Sequence, residues 1–182
     1  MRAVRRQRLR IGAALVALTA AFSARAEVDM LDYRLRDLAS TTNIDLAALR
    51  GNVSVLMFFA PDCPYCFRQA RVLNALQESC VGVRAVAVGV NGSRAALQQE
   101  MRHMHAEFPV AQIDSRLQAD IGEIVATPLM LVGDRSGMLV TWLRGLQDGA
   151  TLRSLVERID TTACAAAAPA SDGERQPPPV PR

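Results

Sequence analysis

The run VSVLMFFA, Val53 to Ala60, constrains the fold more than any other stretch of this chain. It is continuously apolar and rich in β-formers, with no alternation that would leave one face in water. Such a run reads as a buried central strand, covered on both sides. Directly after it come Pro61, Asp62, Cys63, Pro64, Tyr65 and Cys66. Phe67, Ala70, Val72, Leu73 and Leu76 then recur near helical spacing. The order is therefore strand, C-x-x-C, helix. This order predicts Cys63 near the helix N-cap and Cys66 one turn in. There the helix dipole and free N–H groups stabilise a thiolate. Cys63 is expected to be exposed, with Cys66 facing back beneath it.

The rest of the pattern alternates strands with helices. DYRLRDL alternates polar and apolar residues, ASTTN is a turn, and IDLAALRGN is a short segment closing at Gly51. VRAVAVGV is a second buried strand. SRAALQQEMRHMHAEF is helical, with Ser93 as N-cap. PVAQID is short and extended, and SRLQADIGEI is a short helix. TPLMLVGD and GMLVTWLRG are strands joined through Asp134 to Gly137, a hairpin signal. DGATLRSLVERID closes as a helix with Leu152, Leu155, Val156 and Ile159 on one face. This is the order of an α/β fold. A central mixed β-sheet is expected, flanked by helices on both faces because parallel crossovers are right-handed.

The ends differ from this middle. Residues 1–26 read as a secretory signal peptide: a basic head, an apolar run from Ile11 to Phe22, and Ala24-Arg25-Ala26 as a small-x-small cleavage site. The apolar run falls short of the ~20 residues of a membrane span. An uncleaved anchor is the other reading, and no stable span is expected after cleavage. The segment holds six of the 21 arginines and no acid, which leaves 15 Arg against 18 acidic residues, a net charge of −3. The formal +3 thus belongs to the leader and gives no support to a nucleic-acid partner. The domain is expected over 27–164. Residues 165–182, rich in Ala and Pro, are expected to be a disordered tail. The chain contains no lysine, which excludes Schiff-base and P-loop chemistry.

Export places the four cysteines, 63, 66, 80 and 164, where disulfides persist, and four cysteines allow three pairings. A zinc site needs about four ligands. There is no second C-x-x-C, and His103 and His105 stand on another element. A purely structural bridge across so short a loop contributes little stability. A redox pair is the reading that remains, with no metal and no cofactor other than the Cys63–Cys66 disulfide.

The segments YRLRDL…IDLAALRGNVSVLMFFAPDCPYC, FPVAQID and IVATPLMLVGDRSGMLV together resemble the thioredoxin superfamily, in its exported TlpA-like branch, over about Leu31 to Ile159. The resemblance implies a thioredoxin-like fold and thiol–disulfide oxidoreductase activity. It implies that Pro128 is a cis-proline, with Thr127 before it offering its backbone to an extended substrate. It further implies that the helices ending at Cys80 and before Cys164 share a sheet face, so that these two cysteines form a structural disulfide. Asp62, Pro64 and Tyr65 are the neighbours of the pair. The chain also departs from the pattern. Met57 stands where thioredoxins carry a buried acid, and Asp62 replaces a Trp. The Pro64–Tyr65 dipeptide resembles that of glutaredoxins, whose potentials are less reducing. The expected partners are cysteine-containing exported proteins and a membrane redox partner, for a monomer in the periplasm. A copper-handling redoxin is the alternative, using the Cys pair with Met101, His103, Met104 and His105. The peroxidase motif of the related peroxiredoxins is missing, because Pro61 lies too close to Cys63.

Overall fold

A computed structural model describes residues 28–165. The signal-peptide reading and nearly all of the tail reading concern residues outside these. The elements are β1 (Arg34–Asp37), β2 (Asn43–Asp45), a 3-10 turn (Leu46–Leu49), β3 (Val53–Phe59), α1 (Cys66–Ser79), β4 (Val83–Gly89), α2 (Arg94–Met104), β5 (Val110–Gln112), α3 (Ser115–Ile121), β6 (Leu129–Gly133), β7 (Leu139–Arg144) and α4 (Gly149–Ile159).

They build one mixed sheet in the order β2-β1-β5-β4-β3-β6-β7. Strands β3, β4 and β5 are parallel, and β6 runs antiparallel to β3. Every residue of β3 is buried, as its unbroken apolar run requires. Alternate β3 residues feed two cores. Val53, Val55, Met57 and Phe59 pack with α1, α2 and α4, whereas Leu56 and Phe58 pack with α3, the 3-10 turn and Met30, Leu31 and Tyr33. The distribution follows from handedness. The β3–β4 and β4–β5 crossovers step in one direction and put α1 and α2 on one face. The return from β5 to β6 puts α3 on the other.

Helix starts use local acceptors. Ser93 Oγ accepts the Ala96 N–H, Asp114 Oδ1 that of Leu117, and Asp148 Oδ1 that of Thr151. The Thr151 N–H, then its hydroxyl, hold the Asp148 carboxyl below the usual carboxylate range. Helix α2 stops at His105, which turns into the left-handed region at φ 50°.

At the end of the sheet where β3 and β4 begin, Cys80 and Cys164 are joined, with Cα atoms 3.9 Å apart and 84 residues of separation. Gly82 makes room for this closure. Its N–H donates to the Ala163 carbonyl at 2.9 Å, and a Cβ on residue 82 would sit 2.7 Å from the Ala163 Cα. That neighbour is backbone and cannot swing aside. Gly82→Ala is therefore expected to lower stability by about 1–3 kcal/mol. Urea unfolding measures it, and an unchanged midpoint would mean that the closing turn gives way freely.

Candidate active site

The pair lies at the carboxyl end of β3. Cys63 and Cys66 form a disulfide, with Sγ atoms 2.05 Å and Cα atoms 5.5 Å apart. The helix begins later than the sequence pattern suggests. Cys66 is the first helical residue and Tyr65 the N-cap, without a side-chain cap. Cys63 is not at the N-cap. It stands in the preceding turn, where its carbonyl accepts the Cys66 N–H at 3.3 Å. That bond spans three residues, so 63–66 close as a tight turn, and the four-residue ladder opens only where the Gln69 N–H donates to the Tyr65 carbonyl.

The expected exposure of Cys63 is also corrected. In the disulfide it is only 5% exposed, and Cys66 is fully buried. Bonding to Cys66 turns the Cys63 sulfur inward onto the core that holds Met57, Phe59, Ala70 and Met130. The order of access survives, since what opening there is belongs to Cys63. Asp62, Pro64 and Tyr65 are exposed around it, and Tyr65 keeps half of its surface. Asp62 takes a left-handed backbone, φ 58°, a region that Asp tolerates better than most residues.

Two more loops meet this turn. Gly92, between β4 and α2, lies so close to Pro61 that a Cβ there would be 2.5 Å from the proline Cγ. Its neighbour Asn91 donates from Nδ2 to the Ile124 carbonyl at 2.7 Å. That contact ties it to the segment leading into Thr127–Pro128. The Thr127–Pro128 bond is cis. The antiparallel register pairs Phe58 with Leu129, so Pro128 falls beside Phe59, at the same end of the sheet as the cysteines. Pro128 is buried and Thr127 half-buried. The Pro128 carbonyl accepts the Gly145 N–H at 2.9 Å.

Beneath the pair the strands offer thioethers rather than an acid. Met57 is fully buried and pairs in register with Met130. The buried polar groups nearby come from helices. Gln69 on α1 is fully buried and accepts the Gln147 backbone N–H at Oε1, 2.7 Å. Glu100 on α2 is 7% exposed, with Oε1 unpartnered and 3.8 Å from His103 Nδ1. Sequence reasoning singled out neither. The available signal was a polar residue three positions after Cys66, on a helix face otherwise apolar.

The four residues of the copper reading divide between core and surface, and Met101 is half-buried. Met104 is fully buried in the core. The His103 ring packs on Phe67, centroids 5.5 Å apart. His105 is exposed, and its carbonyl accepts from Asn74 Nδ2 at 3.0 Å. Among the described residues no group of three or more His, Cys, Asp or Glu is placed to hold a metal ion. Among the same residues no helix is long and apolar enough to cross a membrane.

Residues 41–160 match the family described as a thioredoxin-like domain. No curated protein matches the sequence. Several solved structures share the fold. DsbF of MTB, seen in mixed oxidised and reduced forms, is 23% identical, covers 73% of this chain and 98% of its own, and superposes with a TM-score of 0.62. A secreted Mycobacterium tuberculosis disulfide oxidoreductase, homologous to E. coli DsbE, is 21% identical over 72% of this chain and 97% of its own, TM-score 0.56. A thiol:disulfide interchange protein of Chlorobium tepidum TLS is 19% identical over 73% and 96%, TM-score 0.63. At these identities the likeness speaks for the fold.

Proposed function

The chain belongs to the thioredoxin-like domain family, and on that premise we propose that it is an exported thiol–disulfide oxidoreductase of TlpA-like type, acting through Cys63 and Cys66 on cysteine-containing exported proteins. The observation that carries this reading is the Cys63–Cys66 disulfide at the carboxyl end of β3, with access only through Cys63. A client thiolate attacks Cys63 Sγ. A mixed disulfide forms, the Cys63–Cys66 bond breaks, and its electron pair leaves on Cys66 Sγ. A second client thiolate then attacks the client sulfur of the mixed disulfide. The client departs oxidised, and the Cys63–Cys66 pair is left reduced. Run backwards, the same residues reduce a client, with Cys66 resolving the mixed disulfide. The electron balance is closed by a redox partner at the membrane.

Thr127 and Pro128 serve as the substrate-side loop, with Asp62, Pro64 and Tyr65 as the exposed rim that a client meets. The N-terminal leader pattern supports export to the periplasm, and the Cys80–Cys164 bond serves as the structural staple of a monomer.

Equilibration with glutathione buffers, quenched by alkylation and read by mass, tests the proposal. A two-electron titration is expected, at a potential less negative than the roughly −270 mV of thioredoxin. A pair that remains a disulfide throughout the glutathione range would be a structural bridge, and the proposal would fall.

A further inference from the structure

One side chain beside the pair has only half of its hydrogen bonding assigned. Gln69 stands on α1 three residues after Cys66, and its N–H opens the helical ladder by donating to the Tyr65 carbonyl at 3.0 Å. Its Oε1 accepts the Gln147 backbone N–H. An N–H must face an oxygen, which fixes the orientation of the carboxamide. Nε2 is then left fully buried, with no partner. A buried donor without an acceptor is unfavourable and needs an explanation.

The oxidation state supplies one. In the disulfide the Cys66 sulfur is neutral and a weak acceptor. When the bond opens, that sulfur carries a full negative charge in the core that also holds Met57, Ala70, Leu73 and Met130, whose side chains cannot donate. Residues 66 and 69 are neighbours on one helix face. Helical side chains lean toward the N-terminus, and residue 69 follows Cys66 by one turn of α1. Three buried polar side chains occur among the described residues: Ser54, Gln69 and Glu100. Ser54 Oγ bonds the Asn52 carbonyl at 3.3 Å, and Glu100 lies on another helix.

We propose that Gln69 is a positioning residue for the exchange reaction: its free Nε2–H receives the Cys66 sulfur as that sulfur leaves as a thiolate. This rests on the redox reading of the pair. In the step concerned, the incoming thiolate forms its bond to Cys63 Sγ as the Cys63–Cys66 bond breaks. One negative charge passes from the attacking sulfur to Cys66, and no proton is transferred. Gln69 keeps its protons and contributes a hydrogen bond to the charged form. Its other end acts on the substrate side. The Gln147 side chain donates to the Arg144 carbonyl at 3.0 Å, and the next residue, Gly145, donates to Pro128. The carboxamides of Gln69 and Gln147 thus connect the resolving cysteine to the loop that braces the cis-proline.

The test is Gln69→Met, which keeps the length and apolar fit but has no donor. The charged groups on the surrounding elements stay the same: Asp62 on the cysteine turn, Arg68 and Arg71 on α1, Glu100 and His103 on α2, Arg144 at the end of β7 and Asp148 before α4. In glutathione buffers Q69M is expected to shift the Cys63–Cys66 equilibrium about tenfold toward the disulfide, some 30 mV more negative. A purely structural role weakens both redox states alike and leaves this ratio in place. An equilibrium within twofold of the parent, or displaced toward the dithiol, overturns the proposal. A second measurement needs no variant. The Gln69 side-chain amide resonances of the whole protein should move downfield and exchange more slowly on reduction, and resonances that stay in place overturn it equally. A parent pair inert to glutathione overturns the redox reading itself. A parent pair that titrates normally beside an unmoved Q69M overturns only the role of Gln69.

Discussion

Cys63→Ser is expected to reduce exchange with protein disulfides to background, a loss of roughly three orders of magnitude or more, whereas Cys66→Ser is expected to accumulate mixed disulfides. The asymmetry comes from access. A client sulfur needs an open line to its target, and Cys66 is fully buried at the first turn of α1 whereas Cys63 keeps the small opening. Without Cys63 no bond to the client can form. Without Cys66 the first bond forms and nothing inside the protein resolves it. Thiol-blocked gels run without reductant distinguish the two variants. If Cys63→Ser were the variant that retained clients, the roles would be exchanged.

Replacing Cys80 and Cys164 together by Ser is expected to produce the largest loss of stability. A loop of 84 residues corresponds to about 4–5 kcal/mol of chain entropy in the unfolded state. For a domain of this size that is a fall in melting temperature of roughly 10 °C or more. Exchange at low temperature should persist, because the staple and the Cys63–Cys66 pair occupy opposite ends of β3. Calorimetry of the oxidised protein gives the first quantity and a turnover assay in the cold gives the second. A melting temperature unchanged to within a degree or two would remove the staple from the stability argument. Peptide mapping of the unreduced protein decides whether the bond is present in solution.

The parts of the fold that could be read in the sequence were those written in local chemistry. The unbroken apolar run of β3 became a strand buried over its full length, and the Ser93 cap and the hairpin at Asp134 stand where the pattern placed them. What escaped depended on partners remote in the sequence. The pattern predicts helices on both faces, but not that α3 alone would answer α1, α2 and α4. That division follows only from the strand order. The late helix start was not legible, because a proline after Cys63 fits the first position of a helix capped there just as well. Nor was the concealment of Cys63, because it depends on which way its sulfur turns once bonded. Gln69 escaped because periodicity treats a polar residue on an apolar face as noise, and only its contact with Gln147, 78 residues away, reveals its use. Met104 was grouped with the histidines by proximity along the chain, whereas its burial assigns it to the core.

Both ends of the described chain lie at one pole. Val28 accepts the Leu139 N–H, and Met30 donates to Gly137 at the foot of the β6–β7 hairpin, while Ala163 and Cys164 close against Gly82 and Cys80. The reactive pair is at the other pole, across the seven residues of β3, a rise of about 23 Å. The working tip is therefore the pole away from both ends of the described chain. A tether at either end leaves the tip free to sweep a neighbouring surface for clients. An affinity tag fixed to a bead at residue 165 should cost no access to Cys63, and two such domains fused end to end should point their reactive tips apart.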